Sequence, residues 1–261
     1  MDTNLKNKRA VVCGSTQGIG KAIAIELALL GASITLVARN EEKLKTVVKE
    51  LDQRVDQRHE YIVADFNYPG QLREKIEKYT ETNVVHILVN NTGGPPSGPA
   101  TSAHPDEFMA AFSSHLICNQ ILMQACVPGM KAEGFGRIIN VVSTSAKTPM
   151  RGLGVSNTIR GAVANWSKTI ATELGPFGIT VNNLLPGAIM TARLQELART
   201  RAQESGKAES EIIDGMIQAI PAGRIGQPYE IAAAAAFLAT PAAAYINGIN
   251  LPVDGGRTPS L

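Results

Sequence analysis

Aromatic residues make up only 5% of this chain of 261 residues, with one tryptophan and three cysteines. Thiols so few and so far apart (Cys13, Cys118 and Cys126) exclude a disulfide framework or a cysteine metal cage. Their apolar neighbours predict reduced, buried side chains. An excess of one charge is also missing: 25 Lys and Arg against 23 Asp and Glu leave +2 with no basic cluster, which argues against nucleic-acid and membrane-surface partners. No apolar run reaches the length of a membrane span, and Met1 to Lys6 lacks the apolar core of a signal peptide, so the expectation is a cytoplasmic protein. No linker divides the chain, and one domain across residues 1–261 is expected.

What the chain does have is a glycine-rich turn between two apolar runs. Arg9 to Cys13 is short, β-branched and ended by Gly14, the pattern of a buried strand. Gly14-Ser15-Thr16-Gln17-Gly18-Ile19-Gly20 then spaces three glycines for a tight turn, a close backbone approach to a pyrophosphate and close packing of helix on sheet. Ile19, Ile23, Leu27 and Leu30 share one helical face, Gly31 stops the helix, and Ser33 to Ala38 supplies the next strand. This is a βαβ unit with an anion site at its helix N-terminus.

The alternation continues. Strands are expected at 60–64, 86–90, 136–142, 180–185 and 249–253, and helices at 41–51, 69–79, 105–130, 156–175 and 228–239. Residues 92–99 form a Gly- and Pro-rich loop after the fourth strand, where open α/β sheets bind ligands. Residues 188–222 are polar and helical in pattern, with Gly206 and Gly215 as weak points, and are expected to form a mobile flap. Seven strands alternating with helices predict an α/β fold: a Rossmann-type, doubly wound parallel sheet with helices on both faces.

Several stretches together resemble the short-chain dehydrogenase/reductase family over nearly the whole chain. They are Gly14 to Gly20 for the cofactor loop, Asn90-Asn91-Thr92-Gly93 for the Asn-Asn-Ala-Gly segment, Pro186-Gly187, and Pro252 to Gly256. Ile220 to Pro228 is similar to a segment of the 3-oxoacyl-(acyl carrier protein) reductase-like branch. The resemblance implies a nicotinamide dinucleotide lined by Gly14, Ser15, Gly18, Ile19, Gly20, Arg39, Asn40, Asp65, Phe66, Asn91, Gly93, Pro186, Gly187 and Thr191. It also implies a homotetramer in which the 105–130 and 156–175 helices pack across a two-fold axis. Ala162, Ala164, Trp166 and Ile170 offer more apolar positions than one sheet-facing stripe needs.

Arg39 follows Ala38, which stands where NAD-specific members carry an acid for the ribose 2′-OH. A planar cation without that acid suits a 2′-phosphate, so NADP(H) is expected over NAD(H); the plain alternative is a solvated arginine. Asp65 fits either an adenine contact or a cap on the following turn. Asn91 and Gly93 fit both a cofactor cleft and simple turn geometry.

The catalytic positions depart from the family pattern. Counting from Ser143, the expected Tyr falls on Ser156 and the Lys on Arg160, while an Asn of the preceding helix falls on His115. Sliding the register by one would put Val155 and Ile159 there. Ser143 could donate to a substrate carbonyl or merely cap a strand end. His115 could shuttle a proton near neutral pH or be a satisfied helix-lining histidine. Lys147, in the loop beyond Ser143, could approach the site or be solvated. The reading is an NADP(H)-dependent carbonyl or 3-oxoacyl reductase with atypical proton delivery and a small-molecule carbonyl or hydroxyl substrate. The alternative is an impaired dinucleotide-binding protein acting as sensor or partner subunit. No metal is implied.

Overall fold

The computed structural model describes residues 1–260. Among them, seven parallel strands form one sheet in the order β3-β2-β1-β4-β5-β6-β7. The strands are β1 (Arg9–Cys13), β2 (Ser33–Ala38), β3 (Glu60–Val63), β4 (Ile87–Asn90), β5 (Gly136–Val141), β6 (Ile179–Pro186) and β7 (Asn250–Val253). Every β5 residue is buried, as expected for a strand covered on both faces. Pro252 is tolerated because β7 is an edge strand.

The helices are α1 (Gly18–Leu29), α2 (Glu41–Glu50), α3 (Pro69–Thr80), α4 (Pro105–Phe112), α5 (Cys118–Ala132), α6 (Gly154–Leu174), α7 (Ala192–Ser205), α8 (Glu209–Gln218) and α9 (Pro228–Ala239). Ile23 and Leu27 of α1, Leu44 of α2 and Ile231 of α9 share one core with Val12, Leu36 and Val89. Leu72 of α3, Leu122 of α5 and Ile170 of α6 pack on the other face with Val11, Leu88 and Val181. The sheet is therefore doubly wound, and the strand order reverses between β1 and β4. The crevice at the carboxyl ends of those two strands is where such folds bind nucleotides.

Three expectations change. The continuous helix over 105–130 is instead α4, a π-helical turn at Ser113–Ile117 and α5. One wide turn re-aims the side chains that follow it, and His115 lies inside it. In the flap, Gly206 is a left-handed cap that ends α7 (φ 70°), but Gly215 lies within α8 without breaking it. The surplus apolar positions of α6 are largely consumed by the chain itself. Ala164 and Ile170 are buried, and the Trp166 indole N–H donates to Gln120 Oε1 at 2.8 Å.

All three cysteines are buried free thiols, and burial pushes Cys118 and Cys126 up to about 12. No helix among the described residues is long and apolar enough to cross a membrane.

Candidate active site at the β1–β4 switch point

The glycine turn is packed too tightly for side chains. A Cβ on Gly20 would lie 2.3 Å from the Gly14 carbonyl oxygen, and one on Gly14 would lie 2.6 Å from that of Asn91. Gly14 and Gly18 also take positive φ, 59° and 55°. Asn91 fastens the turn to β4 by donating its side-chain amide to the Cys13 and Gly14 carbonyls, both at 3.2 Å. Asn91 thus supplies turn geometry and borders the crevice at once.

Two groups in this turn lack what they need. Gln17 gives α1 no side-chain cap and its first turn holds no acid, which leaves amide donors and the positive helix end facing the crevice. Ser15 is fully buried, and its hydroxyl finds no hydrogen-bond partner among the described residues. A buried orphan hydroxyl costs roughly 1–3 kcal/mol, which an anionic ligand accepting from it would recover. The turn therefore fits the phosphates of a dinucleotide.

The remaining cofactor candidates surround this point. Arg39, exposed at the end of β2, makes no ion pair among the described residues. Asn40 caps α2 by accepting from the Lys43 amide at 2.9 Å. Asp65 Oδ1 accepts from the Asn67 amide at 2.9 Å, so the turn-capping reading holds for that oxygen. The Phe66 carbonyl accepts from the Cys118 thiol. A Cβ on Gly93 would meet nothing within 4 Å, so open space lies beside it. Gly187, after Pro186, is required because its Cβ would fall 2.7 Å from that of Asp254. Thr191 caps α7 by accepting from the Leu194 amide, and its methyl lies 3.3 Å from the position of a Gly18 Cβ. The flap thus begins directly over the phosphate turn at Gly18.

The catalytic candidates lie beyond β5. Ser143 Oγ accepts from the Ser145 amide at 3.1 Å, which leaves its O–H free to donate; capping and catalysis are compatible. Ser156 and Arg160 stand one turn apart on α6. Val155 and Ile159, the residues of the shifted register, are buried in a core cluster with Val142 and Leu185. The Ser156 hydroxyl has no partner among the described residues. Arg160 is 91% buried (9% exposed) and donates to the Val141 carbonyl at 3.1 Å.

Burial, and secondarily the Arg193 guanidinium, lowers Arg160 to about 10. The two guanidiniums meet at Gly94, whose Cβ would lie 3.8 Å from Arg160 Nη2 and 3.9 Å from Arg193 Nε. Arg193 itself donates to the Pro95 carbonyl at 2.8 Å. The sequence reading missed Arg193; its position two residues after Thr191, at the root of the flap, was the available signal.

His115 is buried, and its Nδ1 shares a 2.6 Å hydrogen bond with Thr92 Oγ1. Burial, reinforced by Arg160, lowers it to about 3, so the imidazole is neutral and the satisfied, helix-lining reading is the favoured one. Lys147, half-buried, lies in the loop just past Ser143.

Beneath the cleft runs a feature that periodicity did not expose. Asn90, Asn140, Asn183 and Asn250 occupy one register across β4 to β7. Their side chains link at 2.8, 3.0 and 2.8 Å, and Asn140 also donates to Ser167 on α6. This polar ladder ties α6, which carries Ser156 and Arg160, to the strand that presents Ser143.

A family model described as enoyl-(acyl carrier protein) reductase matches residues 14–258. The chain belongs to the short-chain dehydrogenase/reductase family. The NADPH-dependent reductase BacG of Bacillus subtilis is 31% identical over 98% of this chain and 100% of that protein. A tropinone reductase homolog of Arabidopsis thaliana is 32% identical over 98% of this chain and 94% of its own length. Crystalline L-sorbose reductase from Gluconobacter frateurii, complexed with NADPH and L-sorbose, superposes with a TM-score of 0.93 at 30% identity, each chain fully covered. Reductases named for such different compounds share one scaffold, so within this family the fold does not name the substrate.

Proposed function

We propose that the chain is an NADP(H)-dependent oxidoreductase that reduces a carbonyl, or oxidises the matching hydroxyl, of a small molecule. The observation that carries the cofactor is the orphan hydroxyl of Ser15 inside an uncapped glycine turn. The NADPH-dependent relatives support the same choice. When bound, the nicotinamide supplies or accepts the hydride.

The α1 amides and Ser15 would hold the pyrophosphate, and Arg39 would pair with the 2′-phosphate. Ser143 donates its O–H to the substrate oxygen, a bond that strengthens as negative charge develops there. Ser156, in the first turn of α6, offers an unengaged hydroxyl suited to holding a water. Arg160 keeps a fixed positive charge where the family carries Lys, but a guanidinium does not relay protons. Proton delivery therefore runs through water at Ser143 and Ser156, or through the substrate's own acid. The lack of a phenol also favours a second reading, a dinucleotide-binding sensor or partner subunit without turnover.

The reading extends to one cytoplasmic dinucleotide-binding domain, residues 1–261, with a flap over 188–222. Ala188 and Ile220 of the flap share a small apolar cluster with Leu194, Ile213 and Ile217, also in the flap, and with Ile225 just beyond it, which supports the flap as a packed unit. A homotetramer is supported by Met109, Phe112 and Ile117, apolar side chains exposed at 70, 41 and 37% along α4 and the π turn.

Titration with both nucleotides tests the cofactor. A charge-assisted contact of about 1.5–3 kcal/mol makes NADPH bind roughly tenfold or more tighter than NADH, and Arg39→Ala removes the difference. Equal affinities in the unmodified protein refute the assignment.

A further inference from the structure

A cavity of about 670 Å³ lies beside Ser143, and the residue that follows it, Thr144, is part of the wall. Three separate segments enclose it: the loop after β5, helix α7 of the flap, and the turn after β7. Each contributes one arginine, respectively Arg151, Arg201 and Arg257, while Glu204 is the one acid on the wall among the described residues. Three guanidiniums there face one carboxylate.

None of the three forms an ion pair among the described residues. Their neighbours in the same part of the chain are paired: Arg193 with Glu196, Arg199 with Glu209 and Arg224 with Glu230. Arg199 and Arg201 share α7, yet only Arg199, which does not line the cavity, has a partner among the described residues. The third wall is held in place, since Asp254 accepts from the Gly256 and Thr258 amides at 3.0 and 2.8 Å and packs against Gly187. Unpaired guanidiniums converging from three elements on one recess match the planar, two-point geometry of a carboxylate or phosphate. The recess lies on the β5 side of the sheet, away from Arg39 at the end of β2, so the cofactor's 2′-phosphate does not account for it.

We propose that this cavity receives an anionic group of the substrate, a carboxylate or a phosphate. The substrate class is then an oxo or hydroxy compound bearing such an anion, with its reacting carbon directed toward Ser143. This inference rests on the oxidoreductase reading for the word substrate, but the anion site can be measured without turnover.

The test titrates malonate and, separately, inorganic phosphate into the NADPH-loaded protein, unmodified and as Arg201→Ala, Arg257→Ala and Arg201→Lys, with circular dichroism confirming that each variant is folded. At least one anion should bind, each alanine change should weaken it about tenfold or more, and Arg201→Lys should retain part of the affinity. The stronger of the two probes says whether carboxylate or phosphate is the intended group. No binding of either, or equal binding in both alanine variants, overturns the proposal.

A second arm compares acetoacetate with its methyl ester as substrates for NADPH oxidation. Reduction of the ester as efficient as that of the acid also overturns the proposal and leaves the oxidoreductase reading intact. Anion binding that depends on the arginines, without reduction of any carbonyl, upholds the anion site and removes the oxidoreductase reading.

Discussion

Replacing Arg160 by Met should make the nucleotide-free protein more stable, although it removes a hydrogen bond. Burial lowers Arg160 well below the ordinary guanidinium value, to about 10. At 1.36 kcal/mol per unit, holding the charge there costs on the order of 3 kcal/mol. Met has similar length and no charge, so that cost disappears. The change also leaves the Val141 carbonyl without its 3.1 Å donor, a loss of about 1 kcal/mol. The balance is about 2 kcal/mol in favour of the variant, and a chain of this size converts it to about 4–8 °C in Tm. Thermal and urea unfolding without nucleotide measure it. With saturating NADPH the order should shift back toward the unmodified protein, because only Arg160 can donate to the hydroxyls of the nicotinamide ribose. A nucleotide-free variant less stable by 1 kcal/mol or more would refute the idea that Arg160 is an uncompensated charge waiting for a ligand.

Two further outcomes follow from the same geometry. His115 stands at about 3 in the folded chain against 6.5 unfolded, so between those values the unfolded state binds more protons. Its contribution is present in full above pH 6.5 and is lost as pH falls toward 3, a difference of up to roughly 5 kcal/mol that His115→Gln should remove from the pH profile of urea unfolding. The double change Ser156→Tyr with Arg160→Lys should raise carbonyl reduction by NADPH. A phenol near 10 replaces water, a far weaker acid, as the proton source, a difference on the order of 10⁵ to 10⁶ in rate if nothing else compensates. A steady-state rate left unchanged by the double variant would sink that account.

The glycine turn was legible in the sequence because its demands are local. A glycine that cannot bear a Cβ and an asparagine beside a turn leave marks within a few residues, and Gly14 and Gly20 pack as tightly as their spacing suggested, with Asn91 holding the turn. Strands β1 and β2 were read to the residue because each is a short apolar run ended by a turn or a charge. The π turn was not legible: Ser113 to Ile117 keep helical polarity, and the hydrogen bond from inside the turn, between His115 and Thr92, joins residues far apart in sequence. Arg151, Arg201 and Arg257 were missed for a different reason. They are far apart in sequence, and each alone reads as a solvated charge until folding brings three segments to one recess.

The most direct test of the central claim is steady-state oxidation of NADPH and NADH by the purified protein against a panel of ketones, 2-oxo acids and 3-oxo acids, repeated with Ser143→Ala. The account predicts turnover with at least one carbonyl, a preference for NADPH of about tenfold or more in kcat/KM, and loss of about 10²-fold or more when the Ser143 donor is removed. Tight NADPH binding with no turnover of any carbonyl, or turnover that Ser143→Ala leaves untouched, would contradict it.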